Sequence, residues 1–450
     1  MKNKLVLSLF TIGVLGANIL NAADDLSSMF SNAKVSGDIR EFTISRSVHD
    51  TRSAKEDYTR VSNAVGGYLK YETDAYRGLR LGAAFYTTNG FLLDSPKDDY
   101  TQVDPTLLGK DNDSYSILGE AYLEYRYKKT EFKGGRQKIN TPLAGADDAR
   151  MLPNLFEAYI LTNKDLKDTT LMIGHLNRFA QGTFGRVYTS GMLPLTSGYS
   201  YVDSRDQVGE FVNMGTYAVG KSTSGVSFAA VEYNGIKGLK TRVWDYYAYD
   251  IFNAIYADIS YSIKSDGIKP FVAAQIISES DVGKSYLGNL SGFYWAAKVG
   301  VNISDFVIYA AYSSTTANGS GDDATKNAIV SPWGGMPAYT QGMVTRHMFL
   351  AGTDAYKVAT SYNFKSVGVD LKTVLYYAYY DIAANNGYTE DDTDEFGFDF
   401  IYYPAFIKNL QLRFRANFSN DFYVKNSSDD PSLNGSVGWD EYRFIMNYKF

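Results

Sequence analysis

The sequence predicts an all-β fold, a transmembrane antiparallel β-barrel of 18 strands, and three observations lead there. The first is the end of the chain. Tyr442, Phe444, Met446, Tyr448 and Phe450 fall on one face of a strand, Arg443, Asn447 and Lys449 on the other, with Ile445 the exception. Side chains alternate faces along a strand, so this is a wall with one apolar and one largely polar side. Barrels of the outer membrane close by pairing the last strand with the first, behind an aromatic outer belt. The second is composition: 38 Tyr and 26 Phe supply interface anchors throughout the chain, while the absence of cysteine excludes disulfides, thiolate metal sites and Cys nucleophiles. The third is a secretory leader with no helical span after it. Lys2 and Lys4 precede an apolar run over 5–20, and Asn21-Ala22-Ala23 supplies small residues for cleavage after Ala22 or Ala23. The expectation is a signal peptide over 1–22 and a single barrel domain over 24–450, in the outer membrane of a Gram-negative bacterium. The net charge of −6 argues against nucleic acid as a partner.

In chain order, strand patterns occur at 37–44, 64–73, 79–88, 115–127, 131–139, 156–162 and 169–178. The stretch 115–127 is the clearest, with Tyr115, Ile117, Ala121, Leu123, Tyr125 and Tyr127 on one face and Glu120, Tyr122, Glu124 and Arg126 on the other. Further patterns occupy 210–218, 226–233, 239–249, 252–263, 268–278, 292–302, 306–312, 356–364, 367–380, 396–403, 410–418 and 442–450. These number nineteen, and a bacterial barrel with both termini on one side needs an even count. The segment 210–218 is assigned to loop, because 234–238 then makes a compact turn. The long connections are 46–63, 89–114, 140–155, 179–225, 313–354, 381–395 and 419–439, rich in the Gly, Asp, Asn, Ser and Thr that turns favour.

Eighteen strands enclose a lumen wide enough for water, so lining charges decide what passes. Leu412, Phe414, Ala416 and Phe418 face lipid, which turns Gln411, Arg413, Arg415 and Asn417 inward. Arg443 and Lys449 share that face on the last strand. Lys298 lies opposite Trp295, Ala297 and Val299, and Lys372 opposite Leu371, Thr373 and Leu375. An Arg or Lys facing lipid at mid-membrane costs about 2–4 kcal/mol, which enforces the inward assignment.

One further stretch is informative. Gly134-Gly135-Arg136 leads through Asn140-Thr141-Pro142-Leu143 to Asp147-Asp148-Ala149-Arg150-Met151-Leu152-Pro153, then Phe156-Glu157. Together with Leu412-Arg413-Phe414-Arg415, Asp440-Glu441-Tyr442-Arg443 and Trp333-Gly334-Gly335-Met336-Pro337, it resembles the OprD family of substrate-specific outer-membrane porins. The resemblance covers most of the chain beyond the leader. It implies an 18-stranded barrel, monomeric or loosely trimeric, in which the loops 140–155 and 313–354 fold inward to form an eyelet. It also implies a basic ladder and passive diffusion of small solutes bearing a carboxylate. By motif Arg413, Arg415 and Arg443 match the ladder and Arg150 the constriction loop, where it either meets the pore or pins its loop to Asp147 or Asp148. Lys298, Lys372 and Arg136 join the expected pore lining. An acidic partner is expected from Asp322, Asp323 or Asp354. The expected partners are small anionic or carboxylate-bearing solutes, membrane lipid and lipopolysaccharide.

The sequence signals no enzyme, cofactor or metal site. His49, His175 and His347 are scattered, with no nucleophile–base spacing. The acidic run Glu390–Glu395 reads as a solvated loop that could bridge lipopolysaccharide through a divalent ion. A closed barrel serving adhesion, or a barrel-embedded hydrolase, are the competing readings.

Overall fold

The computed structural model describes residues 23–52, 55–91, 99, 101–263, 265, 267–426 and 431–450. The signal peptide expected over 1–22 lies outside the described residues.

Nineteen strands form one sheet, and one of them is only the two-residue Val212–Asn213. The other 18 are full length, run antiparallel to their neighbours, and close when Lys34–Asp50 pairs with Gly435–Lys449. Thr169–Ala180 pairs directly with Val226–Tyr233, so Val212–Asn213 is an accessory and not a barrel strand. The helix Met214–Val219 takes up residues 214–218 of the segment assigned above to loop. The chain there closes a helical turn because the Asn213 side chain caps the backbone N–H groups of Gly215 and Thr216.

Strand faces follow the alternation. Trp295, Val299, Tyr356, Val358, Leu375, Tyr377, Phe414, Tyr442 and Phe444 are exposed on the outside, as lipid contact requires. Connections are short at one end of the barrel and mostly long at the other, where 249–251 is the short exception. Lys128 at φ 54° and Ser304 at φ 52° make the tight hairpin turns of the short-turn end, where left-handed residues match strand twist. Four strands overrun their sequence patterns by six or seven residues at the long-loop end: Lys34–Asp50, Tyr58–Glu72, Leu410–Lys425 and Gly435–Lys449. Backbone pairing there continues past the lipid boundary, where outward residues such as Ser47 and His49 are polar while Val48, Phe422 and Trp439 pack inside, so the outer apolar alternation that marks a strand in sequence stops.

The long loops fill the barrel. Leu143, Ala144, Met192, Leu195, Trp333 and Met348 from three loops are buried with wall residues Trp244, Tyr246, Phe252 and Tyr294 in one apolar cluster. Gly145 donates its N–H to the Trp333 carbonyl at 3.0 Å, and Gly334 to the Gly198 carbonyl at 2.8 Å. These bonds tie the segments 140–154, 181–225 and 331–350 into one layer. The contact demands glycine: a Cβ on Gly335, at φ 71°, would sit 2.5 Å from the Pro142 carbonyl oxygen.

Candidate functional site

The inward face of the strands carries a band of cations. On Leu410–Lys425 the outward Phe414 leaves Arg413 and Arg415 inward. Arg413 donates to Asp399 on the adjacent strand at 2.8 Å, and Arg415 Nε lies 3.3 Å from the same carboxylate. One carboxylate therefore serves two guanidiniums, and the pair of strands keeps an excess positive charge at a partly open position. Lys372 also turns inward, beside Asn363 and Ile401 on its neighbours.

Lys298 projects from Phe293–Ile303 with its ammonium over the ring of Tyr339, 4.1 Å from the centroid, and 5.5 Å from that of Tyr309. Among the described residues it makes no hydrogen bond and meets no carboxylate within ion-pair distance. Lys357 is a functional candidate the sequence reading missed. Its ammonium lies 4.5 Å from the Tyr376 ring centroid and donates to the Gln341 carbonyl at 2.5 Å. The same alternation that placed Lys298 would have found it, because Tyr356 and Val358 on either side face lipid. Lys298 and Lys357 both pair across to Ala311, which puts them about 10 Å apart at the usual inter-strand spacing.

Three expected pore residues lie elsewhere. Arg443 and Arg150 are each only 1% exposed, so neither meets the open lumen. Both converge on Glu441, with Arg46: Arg46 Nε donates at 2.6 Å, Arg150 Nη2 at 3.2 Å, and Arg443 Nε donates to the same carboxylate. Arg150 also donates to Thr106 at 3.0 Å, and Phe184 covers its guanidinium. Burial, with Arg443 beside it, brings the Arg150 guanidinium down to about 9, against the pull of Glu441. Arg150 thus pins its loop to the wall, through Glu441 and not through Asp147 or Asp148. Arg136 sits on the outer face. It pairs across with Ala121 and Glu157, in line with the exposed Leu123 and Tyr159, and stacks on Phe211 at 4.4 Å. Its motif names the family, but its face is set by the register that aligns Phe132, Gly134 and Arg136 with the outward Tyr125, Leu123 and Ala121.

The two acidic residues of the constriction loop hold it in place. Asp147 accepts from Arg346 Nη1 at 2.8 Å and Nη2 at 3.1 Å, and from the Tyr199 hydroxyl at 2.6 Å. Burial works to raise the Asp147 carboxyl, but Arg346 and Tyr199 overcome it and hold it below its ordinary value. Asp148 takes Arg40 at 2.7 Å, with Lys138 3.9 Å away. The acidic partner expected from 313–354 is not at this junction. Asp322 binds Lys326 at 2.7 Å, Asp323 lies beside Gly288, and Asp354 faces outward opposite Asp381. The roles are exchanged: the loop 140–155 gives the acid and the loop 313–354 gives the base, Arg346.

Past Trp333 the second loop runs around the wall, across the strands. Gln275 donates to the Pro337 carbonyl at 2.5 Å, Tyr339 covers Lys298, Thr340 meets Ser313 at 2.6 Å, and Lys357 reaches Gln341. This belt packs on the inner wall beside the lysines, with the Gln341 carbonyl on the Lys357 ammonium and the Tyr339 ring on that of Lys298.

The profile of the OprD outer-membrane porin family matches residues 28–450. The chain belongs to the OprD family. It is accordingly a Gram-negative outer-membrane porin, a channel for small solutes. Its fold is shared with OccK9 (OpdG) of Pseudomonas aeruginosa, at TM-score 0.74 and 19% identity, over 94% of this chain and 99% of that one. OpdK of Pseudomonas aeruginosa, solved with vanillate, superposes at TM-score 0.72 and 15% identity over 94% and 99%. A BenF-like porin from Pseudomonas fluorescens Pf-5 does so at 0.71 and 17%, over 94% and 99%. None of the curated proteins matches the chain.

Proposed function

We propose that this OprD porin passes small carboxylate-bearing solutes by passive diffusion along the arc Lys298, Lys357, Arg415, Arg413 and Lys372. The observation that carries the reading is Lys298. Its ammonium is held on Tyr339, lacks a carboxylate partner among the described residues, and keeps its N–H donors for a passing anion. Cation–π contact positions a charge without neutralising it, and a neighbouring donor about 10 Å along the wall offers the next step. Arg413 and Arg415 supply guanidinium forks, which match a carboxylate in shape. The vanillate in the OpdK structure makes an aromatic carboxylate the first solute to try. Export is by a leader cleaved after Ala22 or Ala23, which intact-mass measurement of the mature protein checks. The barrel closes within one chain, so each chain is a channel whether alone or in a loose trimer.

The test is single-channel recording in a planar bilayer with a salt gradient, then vanillate added to one side. Anion preference and stepwise block are expected. Lys298→Glu with Lys357→Glu should abolish both. An unchanged reversal potential and unchanged block in that double variant would remove these lysines from the track.

A further inference from the structure

The sequence places Glu395 in an acidic run that reads as a solvated loop. In the structure it is 0% exposed and faces inward from the strand Thr393–Tyr402. Its carboxylate is enclosed by the turn 342–345 of the belt. Oε2 accepts the Thr345 N–H at 2.7 Å, the Thr345 hydroxyl at 2.9 Å and the Val344 N–H at 3.1 Å. Oε1 accepts the Met343 N–H and the Tyr376 hydroxyl. Three successive backbone donors around one carboxylate form an anion nest, here used by the protein on itself. Tyr380 completes the socket, accepting the Gly342 N–H at 2.7 Å. The turn has no spare room: a Cβ on Gly342 would lie 2.8 Å from Glu395 Oε1 and 2.9 Å from the Thr345 carbonyl oxygen.

We propose that Glu395 is the positioning residue that fixes the belt 337–346 against the wall and so sets the width and steadiness of the pore. Glu395 touches no solute. It acts through the turn, which places Gln341 under Lys357 and Tyr339 over Lys298. Replacing the carboxylate by an amide leaves one acceptor oxygen for three backbone donors and two hydroxyls, and the turn leaves the wall. The inference rests on the channel reading above but not on which solute passes.

The experiment records Glu395→Gln in potassium chloride alone, with no carboxylate present. The expected result is a several-fold rise in open-channel current noise and an added, larger conductance level. A residue that only stabilised the fold would lower the number of insertions and leave each channel at wild-type amplitude and noise; that result overturns the proposal. The Thr345 and Ser419 hydroxyl oxygens are 3.1 Å apart, and the chain has no native cysteine. Thr345→Cys with Ser419→Cys in the Glu395→Gln background should therefore restore quiet channels on oxidation and lose them on reduction. If Glu395→Gln does not insert, Gly342→Ala displaces the turn with the carboxylate intact. Noisy or enlarged channels there support the proposal, and wild-type traces overturn it.

Discussion

Asp147 and Arg346 join two loops that are almost two hundred residues apart in sequence, and the pair can be dissected without disturbing the backbone. Asp147 has φ 36°, a conformation Asn adopts more readily than most residues, so Asp147→Asn isolates the charge. The side chains of Arg346 and Asp147 are 3% and 15% exposed, which takes the pair out of the weak surface class. Charge centres about 4 Å apart attract by about 4 kcal/mol at an effective dielectric of 20. Removing one partner of a buried pair costs about 3–5 kcal/mol, because the other charge stays behind. The amide oxygen of Asn keeps one acceptor for Arg346 or Tyr199, so a loss of about 3 kcal/mol is expected for Asp147→Asn. The assay is urea unfolding of the refolded barrel in lipid vesicles, in a double-mutant cycle with Arg346→Met. A coupling of about 2 kcal/mol or more is expected. A coupling below about 0.5 kcal/mol would refute the view that this pair locks the loops together. The sign with pH follows from the depressed Asp147 carboxyl. Its contribution is present above the unfolded value of about 3.9 and is lost as pH falls below that through the folded value.

Three further outcomes follow from the same geometry. Glu441→Gln leaves Arg46, Arg150 and Arg443 buried without their shared carboxylate; unfolding in urea should register a loss of about 3–5 kcal/mol, and the freed constriction loop should add noise to single channels. Arg413→Glu with Arg415→Glu should shift the reversal potential in a salt gradient toward cations, whereas Arg136→Ala, on the outer face, should leave conductance and selectivity at wild type. Among the described residues His347 bonds no acid; its Nε2 lies 3.0 Å from the Phe422 carbonyl, and burial brings its imidazole down to about 3. The stability tied to neutral His347 is complete above the unfolded value of about 6.5 and is lost as pH falls from there toward 3, so His347→Gln should flatten the urea midpoint between pH 7 and pH 4 by one proton's slope.

The sequence by itself determined the wall. A strand repeats every two residues, so Phe414 and Val299 on the lipid side are enough to turn Arg413, Arg415 and Lys298 inward. The even strand count assigned 210–218 to loop, and the structure agrees, because Thr169–Ala180 and Val226–Tyr233 pair without it. Alternation is a local rule, however, and says only which way a side chain points. Whether Arg443 meets solute or lies sealed under a loop depends on Arg150, nearly three hundred residues away. Whether Glu395 is a solvated acid or the keystone of a turn depends on where the chain at 342–345 comes to rest. Arg136 shows the limit of motif alone: its neighbours name a family, but its face is set by the register with Ala121 and Glu157. Only the tertiary structure decided these points, because the loops that fill the lumen are held by buried ion pairs and backbone hydrogen bonds between distant segments, and such bonds leave no periodicity in the sequence.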